Sequence, residues 1–319
     1  MRPDVSFVIA AYNAEATLAR AIQSALGQSG VTVEVVVVDD CSTDRSLAIA
    51  QSFPSERIRV VALEKNRGPG GARNAGLSAA RGRWIAVLDS DDTVHPDRLA
   101  RMILRAEKAG AQIAVDNIDV VQETVGRGTT MFAPALFARL PELTLADFIG
   151  SNLVFEGSFN FGYMKPIFER RFIEDNALRY DEMLRIGEDY IFLASALAKG
   201  GRCVVEPRPG YCYHIRTGSI SRVLEVHHVE AMLAADADFV RDHRLDAAAR
   251  SAQARRTRSL KDAAAFLAVV RHLKNRNLLN AAGAALRRPM ALRHLRMPIA
   301  TRLRRFARSI GARPLDQSA

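Results

Sequence analysis

The chain has 319 residues, of which 48% are hydrophobic and 25% are charged, and this composition excludes a disordered, collagen-like or disulfide-stapled protein. The length is sufficient for one large α/β domain with an appendage. The net charge of +10 is uneven: residues 241–319 hold 19 Lys and Arg against 4 Asp and Glu, whereas the first 240 residues hold 26 basic against 31 acidic side chains. A basic tail can bind nucleic acid, an anionic membrane surface or an acidic partner, and charge alone does not decide which.

Strand and helix patterns alternate through the first third of the chain. Short apolar runs such as 5–11 and 33–38, the second of which is β-branched apart from Glu34, are typical of strands that are buried on both faces of a parallel sheet. The segments between the runs carry helical apolar stripes and capping residues. This alternation predicts a doubly wound α/β sheet. The predicted strands are 5–11, 33–38, 58–63, 84–88 and 113–115, and the predicted helices are 14–28, 43–53, 71–81 and 96–109.

Polar residues follow several of the predicted strands. In open α/β sheets, the ligand binds beyond the carboxyl ends of the strands, so these residues predict the position of the site. They are Tyr12 and Asn13 after the first strand, Asp39 and Asp40 after the second, and Asp89, Asp91 and Asp92 after the fourth.

The alternation weakens beyond about residue 117. Helices are predicted near 143–150 and at 188–199, and a strand-like segment at 211–213. After residue 224 the chain becomes rich in Ala, Leu and Arg and is predicted to be helical.

The N-terminus and the cysteines indicate the compartment. The apolar stretch 5–11 has the length of a buried strand and lacks the cleavage pattern of a secretory signal. Cys41, Cys203 and Cys212 form no CxxC pair, which suits a reducing compartment. The run 263–270 is far shorter than the ~20 residues that a bilayer span needs. We therefore expect a cytoplasmic protein that does not cross a membrane.

The segment Leu88-Asp89-Ser90-Asp91-Asp92 puts three carboxylates at one strand end. Carboxylates this close repel one another unless a cation or hydrogen-bond donors offset the charge. Hard oxygen ligands suit Mg²⁺ or Mn²⁺, which often bridge to substrate phosphates. The alternative is a solvated acidic loop, and the position at the end of a buried strand argues against it.

Two further segments could contact a nucleotide. Asp40 is placed to accept hydrogen bonds from a base or ribose, whereas Thr43 and Asp44 are explained more simply as caps of the next helix. The glycine-rich stretch 66–76 could cradle phosphate, with Arg73 adding charge-assisted bonds. The chain has neither a GxGxxG fingerprint nor a GxxxxGK[ST] loop, which argues against NAD binding and a P-loop ATPase.

Three sequence patterns occur in a distinctive order: VSFVIAAYNAEATLARAIQSAL, VEVVVVDDCSTDRS and NRGPGGARNAGLSAARGRWIAVLDSDD. Together with the segments 186–192 and 211–221, they resemble the inverting glycosyltransferases of family 2. The segment 186–192 matches the ED signature of that family, and the segment 211–221 matches its closing motif. The resemblance covers residues 3–222 and is strongest to bacterial exopolysaccharide glucosyltransferases of the succinoglycan type. It implies the GT-A fold, a doubly wound, mostly parallel sheet with the nucleotide-sugar site at the carboxyl ends of the strands.

The resemblance implies catalytic and metal-binding residues. Asp189 corresponds to the catalytic base, and Glu188 would tune or orient it. Two acidic residues at a helix start are otherwise explained as favourable partners of the helix dipole. Asp91 and His214 would hold a divalent metal, Mg²⁺ or Mn²⁺, and Asp89 would face the metal shell or the ribose.

The resemblance also implies how the donor is bound. Lys165 lies at a basic position common in the family and receives no definite role. The predicted contacts with the nucleotide sugar come from Ala10, Tyr12, Asn13, Asp40, Arg73, Asp89, Arg216 and Ser219.

The implied reaction moves a hexose from a UDP-sugar to a hydroxyl of a growing, lipid-diphosphate-linked oligosaccharide. Inversion at the anomeric carbon of an α-linked donor would give a β-glycosidic bond. Glucose is the expected sugar, while galactose and N-acetylated sugars stay open. A sugar nucleotidyltransferase is an alternative, although the ED and His214 segments are not expected in that class.

The end of the basic tail has an amphipathic pattern, since Ile299, Leu303, Phe306 and Ile310 fall on one helical stripe among arginines. Such a helix lies on an anionic membrane surface, which would place the protein at the inner face of the cytoplasmic membrane. Alternatively, the stripe packs on the catalytic domain. Nucleic acid is not an expected partner, because the acidic strand ends repel phosphate and no RNA-binding aromatic motif is present.

We therefore expect two regions. Residues 1–224 would form the catalytic domain, with a nucleotide-binding half at 1–116 and an acceptor-binding half at 117–224. Residues 225–319 would form a basic helical region.

Overall fold

The apolar runs near the N-terminus form the centre of a mixed β-sheet in the computed structural model, which describes residues 2–54, 56–122, 128–156, 160–215 and 224–295. The strands are β1 (Val5–Ala11), β2 (Val33–Asp39), β3 (Ile58–Ala62), β4 (Trp84–Val87), β5 (Thr93–Val94), β6 (Ile113–Gln122), β7 (Gly128–Thr130), β8 (Ile167–Glu169) and β9 (Cys203–Ile215). Their order is β3-β2-β1-β4-β8-β6-β9-β5, and β7 pairs with β6.

Helices connect and cover these strands. The N-terminal ones are α1 (Leu18–Leu26), α2 (Ser46–Gln51), α3 (Gly68–Ala79), α4 (Arg98–Ala109), α5 (Pro134–Ala138), α6 (Leu145–Ser151), α7 (Arg170–Asp175) and α8 (Glu188–Ala198). After β9 come α9 (Val226–Asp242), α10 (Ala247–Lys274) and α11 (Leu278–Arg287). Short 3-10 helices span Phe161–Tyr163 and Pro289–Leu295.

The valine run of β2 shows why the sheet is covered on both faces. Val35 and Val37 pack in the same core as α1, whereas Val36 and Val38 pack with α3 on the opposite face. Gly76 lets α3 lie directly on β1, since a Cβ at this position would be 2.3 Å from a methyl carbon of Val8. The prediction of a doubly wound, mostly parallel sheet is therefore confirmed.

The sequence prediction lacks the short strands β5, β7 and β8 and the full length of β9. The strand β8 lies antiparallel between β4 and β6, and at three residues it is too short to give a periodic pattern. The strand β9 has 13 residues instead of the predicted three, because Pro207, Pro209 and Gly210 interrupt its strand pattern. At these residues the register of β9 against β6 shifts.

The helices after β9 pack against the rest of the described chain. Arg256 of α10 is buried, pairs with Asp236 of α9 at 2.9 Å, and donates a hydrogen bond of 2.7 Å to the carbonyl of Asn152 after α6. Its guanidinium also lies 3.5 Å from the ring centroid of Tyr190 in α8. The helical character predicted beyond residue 224 is confirmed as far as α11.

In the part of the chain that the structure describes, no helix combines the length and the apolar character that crossing a bilayer requires.

A fully buried ion pair lies beneath the carboxyl edge of the sheet. Arg98 donates two hydrogen bonds of 2.9 Å to Asp116, and both side chains have no exposed surface. The same guanidinium donates to the backbone carbonyl of Lys165 at 2.5 Å and lies 5.3 Å from the ring centroid of Tyr211. This pair therefore fixes two segments that reach the site described below.

Removing one partner of this pair tests its contribution to stability. We expect Asp116→Ala to lower the free energy of unfolding by about 3–5 kcal/mol, because Arg98 would keep a buried charge without its carboxylate. The matched control is Glu107→Ala, which breaks the exposed Arg83–Glu107 pair and should cost less than about 1 kcal/mol. Urea unfolding measures both, and equal losses in the two variants would contradict the expectation.

Candidate active site

Arg73 joins two elements that are far apart in the sequence. From the buried middle of α3, its guanidinium lies 2.9 Å from Asp89 at the end of β4. It also lies 2.5 Å from Glu188 and 3.1 Å from Asp189, the first two residues of α8. Burial opposes the charged form, but the three carboxylates outweigh it and raise the pKa of Arg73 well above its ordinary value. One charged side chain thus connects the predicted donor-binding and catalytic residues.

Lys165 makes a second bridge between the same elements. Its Nζ lies 2.8 Å from a carboxylate oxygen of Asp89 and 2.8 Å from one of Asp189. Burial would lower the pKa of Lys165, yet Asp189 and Asp89 outweigh it and the pKa is raised. The sequence gives this residue no definite role, since nothing local shows that it reaches α8. We call Arg73, Lys165, Asp89, Glu188 and Asp189 the ionic cluster.

The carboxylates of the ionic cluster differ in their environments. Burial raises the pKa of Asp89, but Lys165 and Arg73 outweigh burial and hold that pKa well below its usual range. The pKa of Glu188 is raised, because burial and the charge of Asp189 exceed the effect of Arg73. The side chain of Asp189 is 25% exposed and that of Glu188 only 9%, so Asp189 is the more accessible of the two to a second substrate.

Asp92 ties β9 to the end of β4. It is buried and accepts hydrogen bonds of 2.8 Å from the Tyr211 hydroxyl and 2.8 Å from the backbone N–H of His214. Burial, reinforced by the charges of Asp89 and Asp91, raises the pKa of Asp92 to about 8. The sequence shows Asp92 at a strand end but gives no sign of its bonds to β9, because these are tertiary contacts.

The predicted metal ligands are neighbours at this edge, but they do not converge on one point. His214 Nε2 lies 3.0 Å from Thr93 Oγ1, and both carboxylate oxygens of Asp89 face cations. Within the described ranges, the one group of three ligand atoms that all lie within 4.8 Å of one another is His95, Asp119 and Cys212.

The types of ligand atom that these residues offer nevertheless fit Mg²⁺ or Mn²⁺. Asp89 and Asp91 supply carboxylate oxygens, and His214 supplies an imidazole nitrogen. Burial is the main reason that the pKa of Asp92 is raised, and the negative charges of Asp89 and Asp91 add to it; a divalent cation would relieve that second part.

At the predicted nucleotide end, Asp40 is buried and anchors α3. Its two oxygens accept hydrogen bonds of 2.7 Å from the N–H of Arg67 and 2.8 Å from the N–H of Gly68, and burial raises its pKa. Asp39 is one of the strand-end residues that predict the position of the site, but the sequence gives it no individual role. Its Oδ1 is buried and has no hydrogen-bond partner in the described part of the chain, so it can accept from a ligand.

The other residues predicted at this end differ in exposure and contacts. Ala10 is partly buried at the end of β1, and Tyr12 is 49% exposed. Asn13 has a left-handed backbone with φ of 49°, and its side-chain oxygen accepts from the N–H of Thr43 at 2.9 Å. Asn13 thus fixes the loop after β2. Arg216 and Ser219 lie outside the described residues.

Comparison with known proteins agrees with this architecture. Residues 6–172 match the family model for glycosyl transferase family 2. The chain belongs to glycosyltransferase family 2. The resemblance drawn from its sequence is therefore confirmed. The protein is a glycosyltransferase, which excludes the alternatives of a sugar nucleotidyltransferase and a nucleic-acid-binding protein.

Individual relatives of this transferase cover most of the chain. It is 64% identical over 305 residues to the succinoglycan biosynthesis protein ExoO of Rhizobium meliloti (strain 1021), covering 96% of this chain and 87% of that protein. It is 28% identical over 217 residues to the Escherichia coli UDP-Glc:alpha-D-GlcNAc-diphosphoundecaprenol beta-1,3-glucosyltransferase WfaP, covering 68% of this chain and 79% of that protein. Residues 1–349 of S. aureus TarS with UDP-GlcNAc superpose with a TM-score of 0.64 at 20% identity, covering 90% of this chain and 92% of that fragment, which confirms the GT-A fold.

The ionic cluster predicts that Lys165 is needed for turnover by the transferase. In Lys165→Met, Asp89 and Asp189 lose the ammonium that holds them together, and we expect kcat to fall by at least about 10²-fold. Release of the nucleotide from a nucleotide-sugar donor measures this. Lys199→Met, at an exposed lysine following α8, serves as the control and should keep full activity. A Lys165→Met enzyme as active as the control would show that the bridge is dispensable.

Proposed function

We propose that this transferase moves a hexose, with glucose as the expected sugar, from a UDP-sugar to a hydroxyl of a lipid-linked oligosaccharide in succinoglycan assembly. The observation that carries the proposal is the ionic cluster, which holds Asp89 of the predicted donor site and Asp189 of the predicted catalytic pair on the same lysine. The names of two relatives support it. ExoO is a succinoglycan biosynthesis protein, and WfaP is named for UDP-Glc, a diphosphoundecaprenol-linked acceptor and a β bond.

Asp189 is the proposed catalytic base. A sugar hydroxyl is a poor nucleophile at neutral pH, so a positioned carboxylate must take its proton while the bond to the anomeric carbon forms. The proton moves to Asp189, the new C–O bond forms on one face of the sugar, and the bond to UDP breaks on the other. Lys165 and Arg73 hold Asp189 in place, and the more buried Glu188 orients Arg73 through its 2.5 Å contact.

The proposed donor site runs along the carboxyl ends of β1, β2 and β4. Asp40 and the buried Oδ1 of Asp39 are the proposed acceptors for the N–H of a uracil ring. Asp39 Oδ1 has no partner among the described residues, whereas both oxygens of Asp40 already accept from backbone N–H groups and would use a second lone pair. Tyr12, with Ala10 beside it, offers an exposed ring next to them. Asn13 shapes the loop, and Arg216 and Ser219 are proposed to order the closing segment over the diphosphate.

A divalent cation would be held by Asp91 and His214, with Asp89 beside it. When bound, such an ion neutralises the charge that develops on the leaving diphosphate. Asp89 keeps its own charge, because two cations hold its pKa low.

The lipid-linked acceptor implies work at a membrane surface. We propose that the protein acts in the cytoplasm, at the inner face of the cytoplasmic membrane, through its basic region 225–319. Residues 1–116 then serve the nucleotide and 117–224 the acceptor. The amphipathic stripe predicted from residue 299 onward lies outside the described residues.

A donor assay tests the proposed chemistry. Purified protein with Mn²⁺ or Mg²⁺ should release UDP from one member of a panel of UDP-sugars, and EDTA or Asp91→Ala should abolish this release. Asp189→Asn should lower transfer by about 10²–10⁴-fold, the usual contribution of a general base. The control is Asp175→Asn, an exposed carboxylate at the end of α7 that pairs with Arg171 on the surface and is expected to be silent. Full activity in EDTA, or in Asp189→Asn, would contradict the assignment of the metal or the base.

The stereochemistry gives an independent test. Because attack and departure take place on opposite faces, an α-linked UDP-sugar should yield a β-linked product. Proton NMR of the product made on a lipid-linked acceptor distinguishes the two anomers. An α-linked product would refute the inverting mechanism.

A further inference from the structure

The helix α11 and the residues on either side of it expose large apolar side chains to solvent. Of the ten large apolar residues that are exposed in the described part of the chain, five lie between residues 273 and 290. The exposed fractions are 45% for Leu273, 68% for Leu278, 88% for Leu279, 82% for Leu286 and 64% for Met290. Such a concentration on the surface of a water-soluble fold marks an interaction site.

The arrangement on α11 is that of a face. Leu279 and Leu286 are seven residues apart, two helical turns, and Leu278 is next to the first of them, so the three share one side of the helix. Ala282 and Gly283 lie between them and are also exposed, which leaves no bulky polar group within the stripe. Ala281 is buried and packs toward α10. We call Leu278, Leu279 and Leu286, together with the exposed Met290 of the following 3-10 helix, the α11 face.

Basic residues predominate around the α11 face, although Arg288 pairs with Asp262 of α10 and Arg293 pairs with Glu156. Residues 271–295 contain six Arg and Lys and no Asp or Glu. Arg271, Lys274, Arg276 and Arg287 are exposed, so their charges border the leucines. An apolar stripe flanked by cations is the pattern of a helix that lies in the plane of an anionic bilayer.

The positive charge around the α11 face indicates which partner it binds. The segment 296–319 follows directly and has its own apolar stripe, but it carries six Arg and one Asp, so it would bring like charge onto this face. A second copy of the chain would oppose two equally basic faces. An anionic phospholipid surface instead offers a negative charge for the arginines and an apolar interior for the leucines.

We propose that the α11 face inserts its leucines into the headgroup boundary of an anionic phospholipid bilayer and anchors the transferase there. This inference rests on the proposed function, which places the enzyme at a membrane. It adds that the α11 face is the part of the chain that contacts the lipid. Attraction between the basic side chains and the lipid brings the protein to the surface, and burial of the leucines holds it.

Vesicle co-sedimentation of the full-length protein tests the proposal. We expect binding to vesicles that contain phosphatidylglycerol, much weaker binding to phosphatidylcholine vesicles, and weakening by salt. Leu279→Gln with Leu286→Gln should lower the partition coefficient at least about tenfold, because two exposed leucines lose their burial. Both side chains are more than four-fifths exposed, so the fold should not change, and circular dichroism checks this.

The matched control is Leu104→Gln with Leu136→Gln, two exposed leucines elsewhere on the surface. Leu104 is also flanked by Arg101 and Arg105. The control variant therefore tests whether any exposed leucine near arginines is sufficient for vesicle binding. It should bind vesicles like the parent protein. Equal losses in the two double variants would overturn the assignment to α11.

A third double variant, Leu303→Gln with Phe306→Gln, separates α11 from the end of the tail. If this variant loses vesicle binding while Leu279→Gln with Leu286→Gln keeps it, the α11 proposal is wrong. The protein would then bind the membrane through the end of its tail. Dimerisation in solution that the α11 variant abolishes would likewise overturn it in favour of a second copy. UDP release without vesicles should be the same in all variants, so failure of the α11 proposal leaves the glycosyl-transfer proposal intact.

Discussion

The burial of the Arg73 guanidinium is the constraint on which the site depends. A cation held away from water is unfavourable unless carboxylates surround it, and breaking such an arrangement is costly. The carboxylates that surround Arg73 come from the end of β4 and the start of α8. The two elements must therefore meet wherever α3 places Arg73, and α3 is itself fixed by Asp40 at its N-terminus and by the close approach of Gly76 to β1.

Further buried charges support the ionic cluster from two sides. Arg98, paired with Asp116, holds the backbone of Lys165 from beneath. On the other side, Arg256 of α10 lies against the ring of Tyr190, which follows Asp189 in α8. The helices beyond β9 thus contact the element that carries the proposed base. The same helices present the α11 face, so one region combines a buried contact near the site with an exposed basic and apolar surface.

Sequence patterns predict the part of this structure that depends on local periodicity. The valine runs and the carboxylates that follow them predict the central sheet and its ligand-binding edge, because β-branched runs and strand-end polarity are local properties. The strand β8 and the full length of β9 are not predicted. Three residues are too few to show the alternation of a strand, and the prolines of β9 interrupt its strand pattern. The roles of Lys165, Asp92 and Arg98 depend on contacts between residues tens of positions apart. A lone lysine or arginine gives no signal of such a contact.

The most direct test of the ionic cluster is the turnover of an Arg73→Lys enzyme. Lysine keeps the charge but lacks the planar fork that reaches Asp89 and the α8 carboxylates together. If the fork aligns the donor site with the base, UDP-sugar turnover falls by about 10²-fold while UDP binding by calorimetry is retained. Turnover equal to that of the parent enzyme would show that charge alone suffices and would contradict this account.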